Sequence, residues 1–192
     1  MVSVCGVAGA GKSFLVQALY THQSSRGWYY QGSYVHVVSV PDPFEITDFC
    51  ESLFLEIFST PPKHGQDIFQ LCRKYLEQQQ CLVVVDGLRS KEDWDLIEAN
   101  LIPGVFPYGS CIIVITREES VARHCATSAD AVCRVRGLEA DAARRLFQVC
   151  VCIYMLHAND LTSESTVILF SFGEITWIRN LIASITCFII QL

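Results

Sequence analysis

Hydrophobic and polar positions along the chain fall into two alternating regimes. Short runs that are apolar at nearly every position recur at VSVC (2–5), SYVHVVSV (33–40), CLVVVD (81–86), SCIIVIT (110–116) and AVCRV (131–135). Between them lie longer stretches in which apolar residues return every three or four positions. These are KSFLVQALYTH after the first run, FEITDFCESLFLEIF (44–58) with Asp48 and Glu51 on the opposite side, DIFQLCRKYLEQQQ, KEDWDLIEANLI, EESVARHCA and EADAARRLFQVCV (139–151). The first pattern is that of buried strands and the second that of amphipathic helices. STPPKHG and PGVFPYG carry the proline and glycine of loops and turns. Strands apolar throughout and separated by helices predict a parallel sheet covered on both faces, hence a three-layer α/β sandwich with right-handed crossovers.

Residues 152–192 break this order. ANDLTSEST is polar, and the VILFSFGEITWIRNLIASITCFIIQL that follows is strongly apolar without a helical or alternating period. A membrane span needs about 20 consecutive apolar residues. Glu174, Arg179 and Asn180 interrupt this stretch, and the remainder, 181–192, is too short. The segment therefore reads as an unpatterned, aggregation-prone C-terminal tail rather than a membrane anchor.

Composition narrows the class. At 192 residues the chain fits one ordinary domain with an extension. A net charge of −6 and a pI near 5.3 argue against binding to a nucleic-acid backbone, which needs a concentrated basic face. The densest basic group, Arg134, Arg136, Arg144 and Arg145, reads as a solvated face. Ten cysteines lack a CxxC pair or a preceding secretory signal. Cys5, Cys81 and Cys111 sit inside apolar runs, where a reduced thiol acts as a small hydrophobe; Cys150 and Cys152 are read the same way. A reducing, cytoplasmic compartment is expected.

Candidate chemistry concentrates in GVAGAGKS, which matches GxxxxGK[ST] through Gly6, Gly11, Lys12 and Ser13. Glycines let successive N–H groups turn inward as a nest for phosphate oxygens at a helix N-terminus. Lys12 is placed to reach the β- and γ-phosphates of a nucleotide, and Ser13 to ligate Mg²⁺. An apolar strand before the loop and a helix after it supply the context that the motif requires. A second metal carboxylate is expected at the C-terminal end of a neighbouring strand, and CLVVVD offers Asp86 there. His22, His36, His64, His124 and His157 show no ligand spacing. No GxSxG-like nucleophile is present, and adjacent His124 and Cys125 cannot face one another on a helix.

Taken in order, these motifs resemble the NB-ARC domain of plant NLR-type disease-resistance proteins, a branch of the P-loop NTPases. GVAGAGKS is similar to the family's phosphate loop, and GSYVHVVSV to its FxxxxWVxVS motif, with His36 where tryptophan is usual. CLVVVDGLRSKEDWD resembles LLVLDDVW and its downstream residues, including Trp94 and Asp95. GSCIIVITREESVARHC resembles GSxIIVTTR. RVRGLEADAARRLF looks like the passage into the ARC region. The resemblance covers residues 1–151. It implies a nucleotide-binding domain over 1–137, the start of an ARC region over 138–151 and a divergent tail over 152–192. It implies ADP or ATP with Mg²⁺ as ligands. The expected nucleotide-binding residues are Gly6, Val7, Ala8, Gly9, Ala10, Gly11, Lys12, Ser13 and Phe14, with Arg117 as the sensor of the γ-phosphate. Ser13 and Asp86 are the expected metal ligands.

Departures from the pattern shape the functional expectation. The family's paired acids are Asp86–Gly87 here, and glycine has no group to polarise an attacking water; Glu92 and Asp93 follow in the next helix. No GLPLA-like or MHD-like segment follows Val151, and no signalling domain precedes the loop. The expectation is a truncated nucleotide-binding module linked to defence. Such a module binds weakly and completes no full switch cycle, with other NLR-type proteins as partners through the nucleotide-binding domain. The alternatives are a slow ATPase, or a truncated product without independent activity.

Overall fold

A computed structural model describes residues 1–25, 34–139 and 141–145 of the chain. Among the described residues of Met1–Val135, five strands and five helices follow in the order β1 (Val2–Cys5), α1 (Lys12–Ser25), β2 (Tyr34–Ser39), α2 (Ile46–Phe58), α3 (Ile68–Gln78), β3 (Cys81–Leu88), α4 (Lys91–Leu101), β4 (Cys111–Thr116), α5 (Glu119–Cys125) and, after a 3₁₀ turn, β5 (Val132–Arg134). A second compact unit starts at Arg136. Within it residues 141–145 are helical, and Ala143 N–H donates to Glu139 C=O at 2.8 Å. The remainder of the predicted 139–151 helix, the tail over 152–192, and Cys150, Cys152 and His157 lie outside the described residues, as does the side chain of His22.

The strands form one parallel sheet in the order β2-β3-β4-β1-β5. From β1 the chain crosses to the far edge at β2 and then returns strand by strand, finally passing β1 to reach β5. Crossovers of a single hand must then put α1 on one face and α2–α5 on the other. The two cores show this division. Val16 of α1 packs with Val4, Leu82, Val84, Ile113 and Ile115 on one face. On the other, Phe49, Leu53, Leu76, Trp94, Ile97 and Val121 pack with Val38, Val83, Val85, Ile112 and Val114. Consecutive strand residues thus serve opposite cores, so the central strands are apolar at every position.

Local chemistry sets the boundaries. Asp67, expected inside its helix, is instead the N-cap of α3 and accepts from Gln70 N–H at 3.1 Å. Ser90 caps α4 through Asp93 N–H at 3.0 Å. Each satisfies an orphan donor of the first turn. The strand expected to stop at Asp86 runs on to Leu88, because Gly87, at φ +90°, forms a bulge between Asp86 and Leu88. No helix among the described residues is long and apolar enough to cross a membrane. All seven described cysteines are free, and burial pushes the thiols of Cys81 and Cys125 up to about 11 and about 12.

The histidine on the edge strand is part of the core. His36 is buried on the α2–α3 face, its Nε2 3.2 Å from the Tyr75 hydroxyl. Burial lowers its pKa from the ordinary 6.5, against a smaller opposing pull from Glu56. Because the unfolded chain takes up a proton near 6.5 and the folded chain resists it, stability is complete above that value and is lost as pH falls through it. Urea unfolding between roughly pH 7.5 and 5.5 should therefore show falling stability, by at most about 1.4 kcal/mol per pH unit for one proton. His36→Phe should flatten that slope; an unchanged slope would place the titrating group elsewhere.

Candidate functional site

The phosphate loop leaves β1 where that strand is pinned from both sides. Cys5 pairs with Thr116 of β4 and with Arg134 of β5, and Val135 N–H donates to Cys5 C=O at 2.7 Å. Gly6 lies so close to β5 that a Cβ there would sit 2.3 Å from the Val135 carbonyl oxygen. Gly9 and Gly11 adopt φ of +75° and +87°, which favour glycine, and a Cβ on either would meet no protein atom within 4 Å. Ala10 N–H closes a turn on Val7 C=O at 3.3 Å.

Lys12 opens α1 and folds back over this loop. Its buried ammonium donates to the carbonyls of Gly6 at 2.7 Å and Val7 at 2.9 Å, leaving one of three N–H donors for another acceptor. The first intrahelical bond shown is Leu15 N–H to Gly11 C=O at 2.8 Å. The N–H groups of Lys12, Ser13 and Phe14 therefore stand at the positive end of the helix dipole without an intrahelical partner.

A cleft of about 810 Å³ opens along the C-terminal ends of the strands. Ala8, Gly9, Gly11, Lys12, Ser13, Phe14, Asp86 and Arg117 line it together. Gly6, Val7 and Ala10 do not line it, but build the loop and hold Lys12. Sequence reasoning missed Ser39, Val40, Leu88, Arg89, Ile115, Thr116 and Glu118, which also line it. Their common signal is position at strand ends, visible only once the register is known. Glu92 and Asp93 lie in the first turn of α4 and are not among the lining residues.

Three cations, Lys12, Arg89 and Arg117, and two carboxylates, Asp86 and Glu118, face this cleft. Arg117 is exposed and makes no hydrogen bond or ion pair with the described residues. Its neighbour Glu119 is instead held by Arg134 and by Arg123, the latter at 2.7 Å, and the two guanidiniums keep that carboxyl below the usual range. His124 pairs with Asp95 at 2.6 Å on the surface, while Cys125 is buried, so the two form no catalytic pair. The groups on the cleft that could hold Mg²⁺, the Ser13 hydroxyl and the carboxylate of half-buried Asp86, are both hard oxygen donors. No group of three or more His, Cys, Asp or Glu side chains that could hold a metal occurs among the described residues. Such a pair suits Mg²⁺, which keeps several waters and shares a phosphate rather than demanding a full protein cage.

A parallel sheet with a lysine-bearing glycine loop after its first strand and an acid at the end of a nearby strand defines a P-loop NTPase fold. Residues 1–156 match the model of the NB-ARC domain, and the chain belongs to that family. A disease resistance RPP13-like protein of Arabidopsis thaliana is 31% identical over 130 residues, covering 64% of this chain and 12% of that protein. Another disease resistance protein of the same plant is 26% identical over 132 residues, covering 64% and 14%. The chain thus spans only about an eighth of the length of these relatives.

Gly6→Ala should cost more stability than Gly9→Ala, by about 1–3 kcal/mol for the overpacked contact with Val135. Equilibrium urea unfolding of both variants tests this, and equal losses would show that β5 yields to the added methyl.

Proposed function

We propose that this chain binds an adenine nucleotide, ADP or ATP, together with Mg²⁺, as the nucleotide-holding part of a plant defence protein of the disease-resistance type. The observation that carries the reading is the gathering, on one cleft, of the loop's N–H groups, Lys12, Ser13, Asp86 and Arg117. Family membership and the names of the relatives support it. Loop amides at the head of α1 surround phosphate oxygens, and the remaining N–H of Lys12 takes another. Ser13 and Asp86 hold the metal, which would neutralise phosphate charge. Arg117 contacts the terminal phosphate, since its guanidinium has no competing carboxylate partner among the described residues. A cytoplasmic site of action accords with the free thiols of the seven described cysteines.

Slow hydrolysis is a second reading, favoured by the Glu118 carboxylate on the cleft. Gly87 supplies no acid, and its φ of +90° disfavours one; a side chain there costs about 1–2 kcal/mol of backbone strain, least for Asp or Asn.

Isothermal titration of the full chain with ADP and with ATP, in Mg²⁺, should give saturable one-to-one binding. Lys12→Ala should weaken it at least about tenfold, the worth of a charge-assisted hydrogen bond. No heat of binding at about millimolar nucleotide would sink the proposal. In single-turnover assays Gly87→Asp should hydrolyse ATP faster than wild type; equal rates would make the missing acid irrelevant.

A further inference from the structure

Beyond the loop, the end of β3 carries an arginine that the motif pattern does not foresee. The Gly87 bulge inserts one residue between Asp86, paired with Ile115, and Leu88, paired with Thr116. Thr116 in turn pairs with Cys5. Leu88, Thr116 and Cys5 therefore form one row across three strands, and the next residues along those strands are Arg89, Arg117 and Gly6. With strands about 4.8 Å apart, Arg89 starts one strand from Arg117 and two from the phosphate loop. Arg89 and Arg117 both line the cleft with Lys12. The ends of β2, β3 and β4 line the cleft, whereas no residue of β5 does. A phosphate chain held in this cleft therefore lies on the side of β1 that carries these cations.

Arg89 is not idle. Its Nη1 is ion-paired with Asp42, in the segment between β2 and α2. Both partners are more than half exposed, 59% and 63%, so the pair is weak and easily exchanged for a stronger anion. Asp42 is also outside the cleft lining, whereas Arg89 is within it. A guanidinium carries five N–H donors in a planar fork suited to phosphate, and among the described residues the Asp42 pair engages Nη1 alone.

We propose that Arg89 is a second phosphate-reading arginine, held by Asp42 until the terminal phosphate of a nucleoside triphosphate draws it away. The assignment rests on the nucleotide reading of the cleft and adds a preference: Arg89 favours triphosphate over diphosphate, and Asp42 opposes that preference by competition. Because the exchange joins the β2–α2 segment to the end of β3, the outgoing Asp42 carboxylate would report the presence of the terminal phosphate.

The test is titration of the full chain with ADP and with a non-hydrolysable ATP analogue, using wild type, Arg89→Ala, Asp42→Ala and the double variant. Lys12→Ala serves as the marker for the cleft itself. Arg89→Ala should weaken the triphosphate about tenfold and the diphosphate less than about twofold. Asp42→Ala should strengthen the triphosphate about threefold, and that gain should vanish in the double variant, because no arginine remains to be freed. Equal effects of Arg89→Ala on both nucleotides, or none on either, overturn the proposal. So does a gain from Asp42→Ala that persists without Arg89, which would mark simple charge repulsion. Binding by wild type that survives Lys12→Ala unchanged overturns the nucleotide reading and this proposal together. Both substituted side chains are exposed, and unchanged thermal unfolding without nucleotide separates a binding effect from a folding one.

Discussion

The parallel pairing of β1 on both its edges is the constraint from which the rest of the site follows. Val2–Cys5 is short, yet it is bonded to β4 on one side and β5 on the other, with Ser3, Val4 and Cys5 buried. A strand fixed on two edges and covered on two faces cannot slip, since a shift of one residue would exchange the sides that face the two cores. Its end is therefore a fixed point in the molecule. A Cβ on Gly6 would clash with the Val135 carbonyl, so the residue that leaves this fixed point has to be glycine. Lys12 then returns to donate to the carbonyls of Gly6 and Val7.

Charge follows the same geometry. The protein carries a net −6, yet the mouth of the cleft gathers Lys12, Arg89 and Arg117 against Asp86 and Glu118. The amino end of α1 adds the partial positive charge of its unpaired N–H groups. A local field of this sign, in a molecule of the opposite overall sign, favours a compact anion at one place rather than a polyanion over a surface. The ammonium of Lys12 can be buried because two carbonyls satisfy it where it lies. Arg89 and Arg117 stay exposed, Arg89 in its surface ion pair with Asp42.

Much of the fold was legible in the residues. Buried strands announced themselves because each must satisfy two cores at once, and the helices because each covers only one. Gly9, Gly11, Lys12, Ser13 and Asp86 could be expected on one cleft because a glycine loop with a lysine after the first strand and an acid at the end of a buried strand are local patterns, and all five line it. Boundaries were less legible. Asp67 looks like part of a helix until its carboxylate is seen to accept from Gln70 N–H. Arg117 was found through family resemblance, whereas Ser39, Arg89 and Glu118 were missed. Nothing in their local sequence distinguishes a strand-end residue that faces a cleft from any other exposed polar side chain.

By itself, then, the chain's sequence determined the class of the sheet, the phosphate loop and its lysine, and the acid of β3, since each is a local pattern with a local cause. Tertiary structure alone decided the strand order, the face that α1 covers, and the bulge at Gly87 that brings Arg89 level with Arg117. Those depend on which strands lie side by side and in what register. Register is set by the summed burial of two cores drawn from the whole of Met1–Val135, so no single segment carries it.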